Sequence, residues 1–232
     1  MCPDAPVEIH WFDLRDADLL APAELSPEER FRSSALRTET LRRRYTASHV
    51  ALRRLLSSRL GVAESRAVPL FWRAGVKPYL CTPTHPLTFS LSRSADVAAV
   101  ALGDGVEVGV DVDVDRDAFA SAGLREAILT PFERAVLEDF TEPARSAAAQ
   151  RLWVRKEAIL KALGTGFVES PAFVVAGDPR ASSGVQFRGP RAVRWHDVLA
   201  PHESAAAAVA WCERDRSNLG AQRLRASPVD RA

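Results

Sequence analysis

Residues 106–115 read Val106-Glu107-Val108-Gly109-Val110-Asp111-Val112-Asp113-Val114-Asp115. The valines hold the even positions. Glu107, Gly109, Asp111, Asp113 and Asp115 hold the odd ones. Successive side chains of an extended strand point to opposite faces. The pattern therefore predicts a strand with a buried valine face and an acidic face, with same-face Cα atoms about 6.6 Å apart. Carboxylates in a row repel unless a positive charge joins them, and a hard divalent cation such as Mg²⁺ prefers carboxylate oxygens. Gly109 takes a side chain off the acidic face and leaves room there for a ligand. The same pattern equally serves an acidic, solvent-facing hairpin, and the strand by itself leaves both readings open.

Upstream, Val7–Leu14 alternates as a first strand. Ser26-Pro27-Glu28-Glu29 is a helix start, with Ser26 as N-cap. A long helix is predicted from Thr38 to Leu60, stopped by Gly61. Pro69–Pro86 reads as a loop with one short strand. Leu87–Ser92, Val97–Leu102 and Val106–Val114 read as strands, the last two joined as a hairpin through Gly103-Asp104-Gly105. Downstream, Leu124–Leu129 is helical, Thr130-Pro131 starts a helix over Phe132–Phe140, and Ala147–Leu163 is a long helix ending at Gly164. Strands follow at Ala172–Val175, Val185–Phe187 and Ala206–Trp211, and a frayed tail begins at Glu213. This order predicts an α+β fold with mostly antiparallel sheet.

The chain has 232 residues, 47% hydrophobic and 26% charged, which excludes wholesale disorder. With 31 basic and 30 acidic side chains the net charge is +1, which argues against binding by bulk nucleic-acid electrostatics. No apolar run approaches the roughly 20 residues of a spanning helix. The N-terminus lacks the features of a signal peptide. The cysteines Cys2, Cys81 and Cys212 have neither metal-site nor disulfide-framework spacing, so a reducing cytoplasm is expected.

Only three of the 31 basic residues are lysine: Lys77, Lys156 and Lys161. A chain this biased toward arginine should keep lysine where a compact point charge is needed and a planar fork will not serve. Two of the three flank Glu157 in Trp153-Val154-Arg155-Lys156-Glu157-Ala158-Ile159-Leu160-Lys161. On a helix, Trp153, Glu157 and Lys161 form one stripe with Lys156 at its edge. Glu157 and Lys161 also suit a plain i, i+4 ion pair. A metal-bound phosphate needs the same mixture: carboxylates for the cation and ammonium groups for the phosphate oxygens.

Together these segments resemble the 4′-phosphopantetheinyl transferases, specifically the larger type that acts on carrier domains of peptide and polyketide synthetases. The resemblance runs from about Arg30 to Ala176. It rests on Gly109-Val110-Asp111-Val112-Asp113 and on the W-x-x-K-E-A-x-x-K helix of residues 153–161. Lys77-Pro78, Phe89-Ser90-Leu91-Ser92-Arg93-Ser94, Arg44-Tyr45 with Arg53, and Glu133 agree with it. It implies two similar α/β halves about a pseudo-twofold axis, with coenzyme A in the cleft between them. The halves would be residues 1–104 and 105–212, followed by a flexible tail at 213–232. It implies transfer of phosphopantetheine from coenzyme A to a serine of an apo carrier protein, with release of 3′,5′-ADP. By the resemblance Asp111, Asp113 and Glu157 hold Mg²⁺, with Mn²⁺ as the alternative. Lys161 reaches a phosphate oxygen, and Glu157 or a metal-bound water takes the serine proton. Arg44, Lys77, Ser92 and Arg93 hold the adenosine phosphates, and Lys156 contacts phosphate or pantetheine. A monomer is the family expectation. The sequence departs from the pattern at Asp113, where glutamate is commoner, and at Arg93, where histidine is usual. An extra residue also stands within Gly75-Val76-Lys77-Pro78.

Residues 28–66 carry ten arginines against four glutamates, a basic segment able to steer an acidic carrier or simply a solvated helix face. Two other readings compete with the transferase. Asp111-Val112-Asp113 is also the D-x-D of metal-dependent glycosyltransferases, and a catalytically silent carrier-binding protein would share the fold.

Overall fold

The computed structural model describes residues 6–73, 76–81, 85–164 and 170–214. Three antiparallel sheets carry the architecture. The first has the order β1 (Val7–Asp13), β5 (Val97–Asp104), β4 (Leu87–Ser94). The second is the ribbon β2 (Leu70–Arg73) with β3 (Val76–Leu80). The third has the order β6 (Val106–Asp113), β9 (Ala206–Glu213), β8 (Arg191–Asp197), β7 (Ser183–Arg188). The helices are α1 (Pro27–Ser34), α2 (Glu39–Leu60), α3 (Ala122–Ile128), α4 (Pro131–Leu137) and α5 (Ala144–Leu163). The α+β class with mostly antiparallel sheets is as expected.

Helix α2 is capped by Thr38, whose hydroxyl accepts from Leu41 N, and closes on Gly61 at φ 65°. Its buried face, including Leu52 and Leu56, packs on Phe89, Val100 and Leu102 of the first sheet. Helix α5 lays Val154, Ala158 and Ala162 on Ala208, Ala210 and Cys212 of the third sheet. The remaining faces of the two sheets meet in one core: Val108, Val110 and Val112 against Ala99, Ala101, Val209 and Trp211. The valine face of β6 is therefore buried, as its alternation requires.

Three expectations are corrected. Gly103-Asp104-Gly105 does not close a hairpin. It hands the chain from one sheet to another, and β6 pairs with β9, Asp111 opposite Ala208. Ala172–Val175 is not a strand; a 3-10 turn covers Pro171–Phe173. Pro69–Pro86 contains two strands where one was expected.

Strands β4 and β6 run side by side without a backbone ladder. Serine oxygens fill that role: Ser90, Ser92 and Ser94 accept from the N–H groups of Val110, Val112 and Val114 at 3.1, 3.3 and 3.1 Å. A backbone N–H on an unladdered edge needs an acceptor, and alternate serines supply one every second residue.

Two helix starts use one device. At Ser26 and at Thr130 the cap hydroxyl accepts from the N–H three residues on, and that residue's glutamate accepts from the cap N–H. Each glutamate then pairs with a cation of the long helix that follows: Glu29 with Arg53 at 2.5 Å and Glu133 with Lys156 at 2.6 Å.

Candidate active site

The odd-numbered face of β6 meets α5. A Cβ on Gly109 would lie 2.0 Å from Ala158 O and 2.5 Å from Ala162 N. The missing side chain is thus filled by helix backbone and leaves no ligand space, which corrects the expectation from sequence. This close approach brings the end of α5 onto Asp111. Lys161 Nζ donates to Asp111 Oδ1 at 2.7 Å and to Val110 O at 3.0 Å. Ser92 Oγ donates to the same Asp111 oxygen at 2.7 Å. Lys161 therefore reaches across to the strand and pairs with Asp111.

Glu157 stands one helical turn before Lys161 and is 8% exposed. Its Oε1 is buried and has no hydrogen-bond partner. Burial, followed by the neighbouring Asp111 carboxylate, pushes its pKa up to about 7, against the pull of Lys161. Asp113 is next along the acidic face. Its Oδ1 accepts from Asp115 N at 2.7 Å, and its backbone carbonyl accepts from Gln150 Nε2 at 2.9 Å. Burial, and then the Asp111 and Asp115 carboxylates, raise its pKa, while the Asp115 N–H opposes the rise.

The structure thus joins Asp111, Glu157, Lys161 and Ser92, with Asp113 adjoining. Arg93 follows Ser92 and lies over the Tyr45 ring, 5.4 Å from its centroid. Arg44 Nε donates to Asp96 Oδ1 at 2.8 Å, in the turn between β4 and β5. Lys77 sits toward the other end of β6, with Nζ 2.5 Å from Val108 O and 4.0 Å from Glu107 Oε2. Burial lowers its pKa to about 8, with Glu107 opposing. Lys77, Glu107 and Arg214 line a cleft of about 90 Å³ that reaches Gly164.

Lys156 is not in the cluster. It is fully buried beside Glu133 and also donates to Pro171 O at 3.0 Å and Val174 O at 2.5 Å. Glu133 in turn accepts from Thr130 N and Ala176 N. This corrects the phosphate contact expected of Lys156: its ammonium ties α5 to α4 and to the segment after it. The basic surface expected over residues 28–66 is also mostly cancelled. Seven of its arginines pair with carboxylates, among them Glu8, Glu24 and Asp96 from outside the segment.

Residues 107–212, from β6 to β9, match the family model described as the 4′-phosphopantetheinyl transferase superfamily. This part of the chain is similar to that superfamily. The chain is also 29% identical over 191 residues to the 4′-phosphopantetheinyl transferase HetI of Nostoc sp., covering 81% of this chain and 78% of that protein. The matched segment holds Asp111, Asp113, Glu157 and Lys161. Arg44, Lys77, Ser92 and Arg93 lie before it.

The residues of this site fit a divalent cation. Two carboxylates lie close enough for one to raise the other's pKa, and one of their oxygens is buried without a partner. Among the described residues no three acidic, histidine or cysteine side chains form a closed metal cage. Mg²⁺ rarely uses such a cage and is commonly held by one or two carboxylates together with substrate phosphates and water.

Glu157 offers a test by itself. Its pKa is raised to about 7, so the folded state holds a proton that the unfolded state releases near 4.5. That contribution to stability is full below 4.5 and is lost as pH rises through 7. In the absence of metal, Glu157→Gln should raise Tm at pH 8 by roughly 5 °C, from about 2 kcal/mol of relieved desolvation, and by little at pH 5. Equal melting curves at both pH values would show that Glu157 is not held in an unfavourable charged state.

Proposed function

We propose that the chain transfers the 4′-phosphopantetheine arm of coenzyme A to a serine hydroxyl of an apo carrier protein and releases 3′,5′-ADP. The observation that carries this reading is the cluster of Asp111, Glu157 and Lys161, two carboxylates and an ammonium on one strand–helix contact. The serine oxygen forms a bond to the β-phosphorus of the donor. The bond from that phosphorus to the bridging oxygen breaks, and the electron pair leaves with 3′,5′-ADP. Asp111, Asp113 and Glu157 would hold Mg²⁺, or Mn²⁺ in its place, which neutralises pyrophosphate charge when bound. Lys161 is held beside Asp111 and supplies positive charge where the leaving phosphate becomes more negative. Glu157 has a proton affinity matched to neutral pH and receives the serine proton. Ser92 keeps Asp111 in place. Arg44, Lys77 and Arg93 are assigned to the donor's phosphates, at the two ends of the β4–β6 seam.

The repeated cap-and-ion-pair device at Ser26 and Thr130 supports two halves of one design, residues 1–104 and 105–212, with the donor between them. The tail from Glu213 onward falls largely outside the described residues. Among the described residues no helix is long and apolar enough to cross a membrane. Cys81 and Cys212 are free thiols, which supports a cytoplasmic setting.

The test is release of 3′,5′-ADP that requires coenzyme A, Mg²⁺ and an apo carrier together. Lys161→Ala should lower kcat on the order of 10²-fold with the carrier KM little changed, because charge that matters in the transition state is removed. An unchanged kcat would remove Lys161 from the chemistry. Coenzyme A binding without any transfer to several carriers would favour the silent binding protein.

A further inference from the structure

A separate cavity of about 490 Å³ opens between the first half of α5, the loop joining β8 to β9, and the turn after β6. Its floor is small and apolar, with Ala147 and Ala206, and the exposed Leu199 stands at its rim. Two arginines line it, Arg116 and Arg151. The Nε of each is buried and has no hydrogen-bond partner. Arg116 Nη2 donates to Glu203 O at 3.3 Å, which anchors the fork and leaves Nε unspent.

The carboxylates Asp197 and Glu203 also line the cavity, and among the described residues neither is ion-paired with Arg116 or Arg151. Burial, followed by the Arg155 and Arg116 cations, lowers the pKa of Arg151, and Asp197 opposes this. Asp197, however, is held by Arg155 through two hydrogen bonds of 2.6 Å. His202 accepts from Ser204 and lends no negative charge. Among the described residues neither Arg116 nor Arg151 has a carboxylate partner. An arginine without a carboxylate partner favours an oxyanion, which the guanidinium's accessible N–H groups bind with charge-assisted hydrogen bonds.

We propose that this cavity is an oxyanion site, distinct from the Asp111–Glu157 cluster, that takes a carboxylate or phosphate group between Arg116 and Arg151. It shares a wall with the active site. Gln150 lines it and donates to Asp113 O, and Ala206 and Ala207 pair with Asp113 and Val112. The bound anion therefore sits beside the end of the acidic strand. On the transferase reading, on which this assignment of source rests, the oxyanion is either an acidic side chain of the acceptor protein or a free phosphate compound.

The probe is inorganic phosphate, titrated into the full chain while the arginine Nε–Hε signals are followed by NMR. The Arg116 and Arg151 signals should shift together and saturate. Arg151→Gln should abolish the shift at Arg116, and Arg116→Gln the shift at Arg151. If the source is the acceptor, Arg151→Gln raises the carrier KM about tenfold and leaves kcat and the coenzyme A KM unchanged. If the source is a free phosphate compound, the carrier KM stays at the wild-type value while the phosphate titration still saturates. No saturable shift at either arginine overturns the site, whether or not the chain proves to be a transferase. Saturation in a protein without transferase activity keeps the site and removes the transferase reading.

Discussion

Asp111→Ala is expected to lower transfer by about 10³-fold or more while the fold survives. One Asp111 oxygen organises the site: it accepts from both Lys161 and Ser92. Its charge also holds Glu157 high, so its loss lets the Glu157 pKa fall. On the proposed function three changes therefore follow one truncation: a carboxylate assigned to the cation disappears, Lys161 loses its anchor, and Glu157, assigned as proton acceptor, becomes a weaker base. Asp111→Asn keeps the shape and removes the charge, and should lose nearly as much. Glu157→Ala should be as damaging. The readouts are kcat/KM from 3′,5′-ADP release, and urea unfolding as the control for folding. Wild-type rates in either carboxylate variant would contradict the metal assignment.

Lys156→Met is expected to damage stability more than any substitution in the cluster. Lys156 and Glu133 are both 0% exposed and lie 2.6 Å apart. Burial lowers the lysine's pKa, and Glu133 opposes that shift. Removing one member of such a pair strands the other charge, at a cost on the order of 3–5 kcal/mol. That is a large part of a domain's total stability of about 5–15 kcal/mol. The urea midpoint should fall steeply. Lys156→Met combined with Glu133→Gln should recover part of the loss, because no net charge is then left buried. A Lys156→Met protein with wild-type stability and weakened coenzyme A binding would instead return Lys156 to the ligand site.

These two residues show what the sequence could and could not reveal. Strand parity placed Asp111 on a face opposite the valines, and helical spacing placed Glu157 and Lys161 on one stripe. Both follow from local geometry, and the structure agrees. Lys156 lies one residue from Glu157, yet its role depends on Glu133, 23 positions earlier and on another helix. Spacing within one helix carries no information about that partner. Gly109 was misread for a similar reason: an absent side chain looks the same from the sequence whether a ligand or a helix fills the space. The hairpin expected at Gly103–Gly105 failed because turn chemistry reports a reversal of the chain and not which sheet receives the next strand. The serine seam had a visible signal. Ser90, Ser92 and Ser94 alternate with the period of the valines at 110, 112 and 114, at a constant offset of 20.

The most direct measurement is intact-mass spectrometry of an apo carrier domain incubated with this protein, coenzyme A and Mg²⁺, beside a matched reaction containing EDTA. The result expected is a gain of one phosphopantetheine that EDTA prevents and excess Mg²⁺ restores. No gain on any carrier, from a folded protein with Mg²⁺ and coenzyme A present, would contradict the assignment of the Asp111–Glu157–Lys161 cluster as a phosphopantetheine-transfer site.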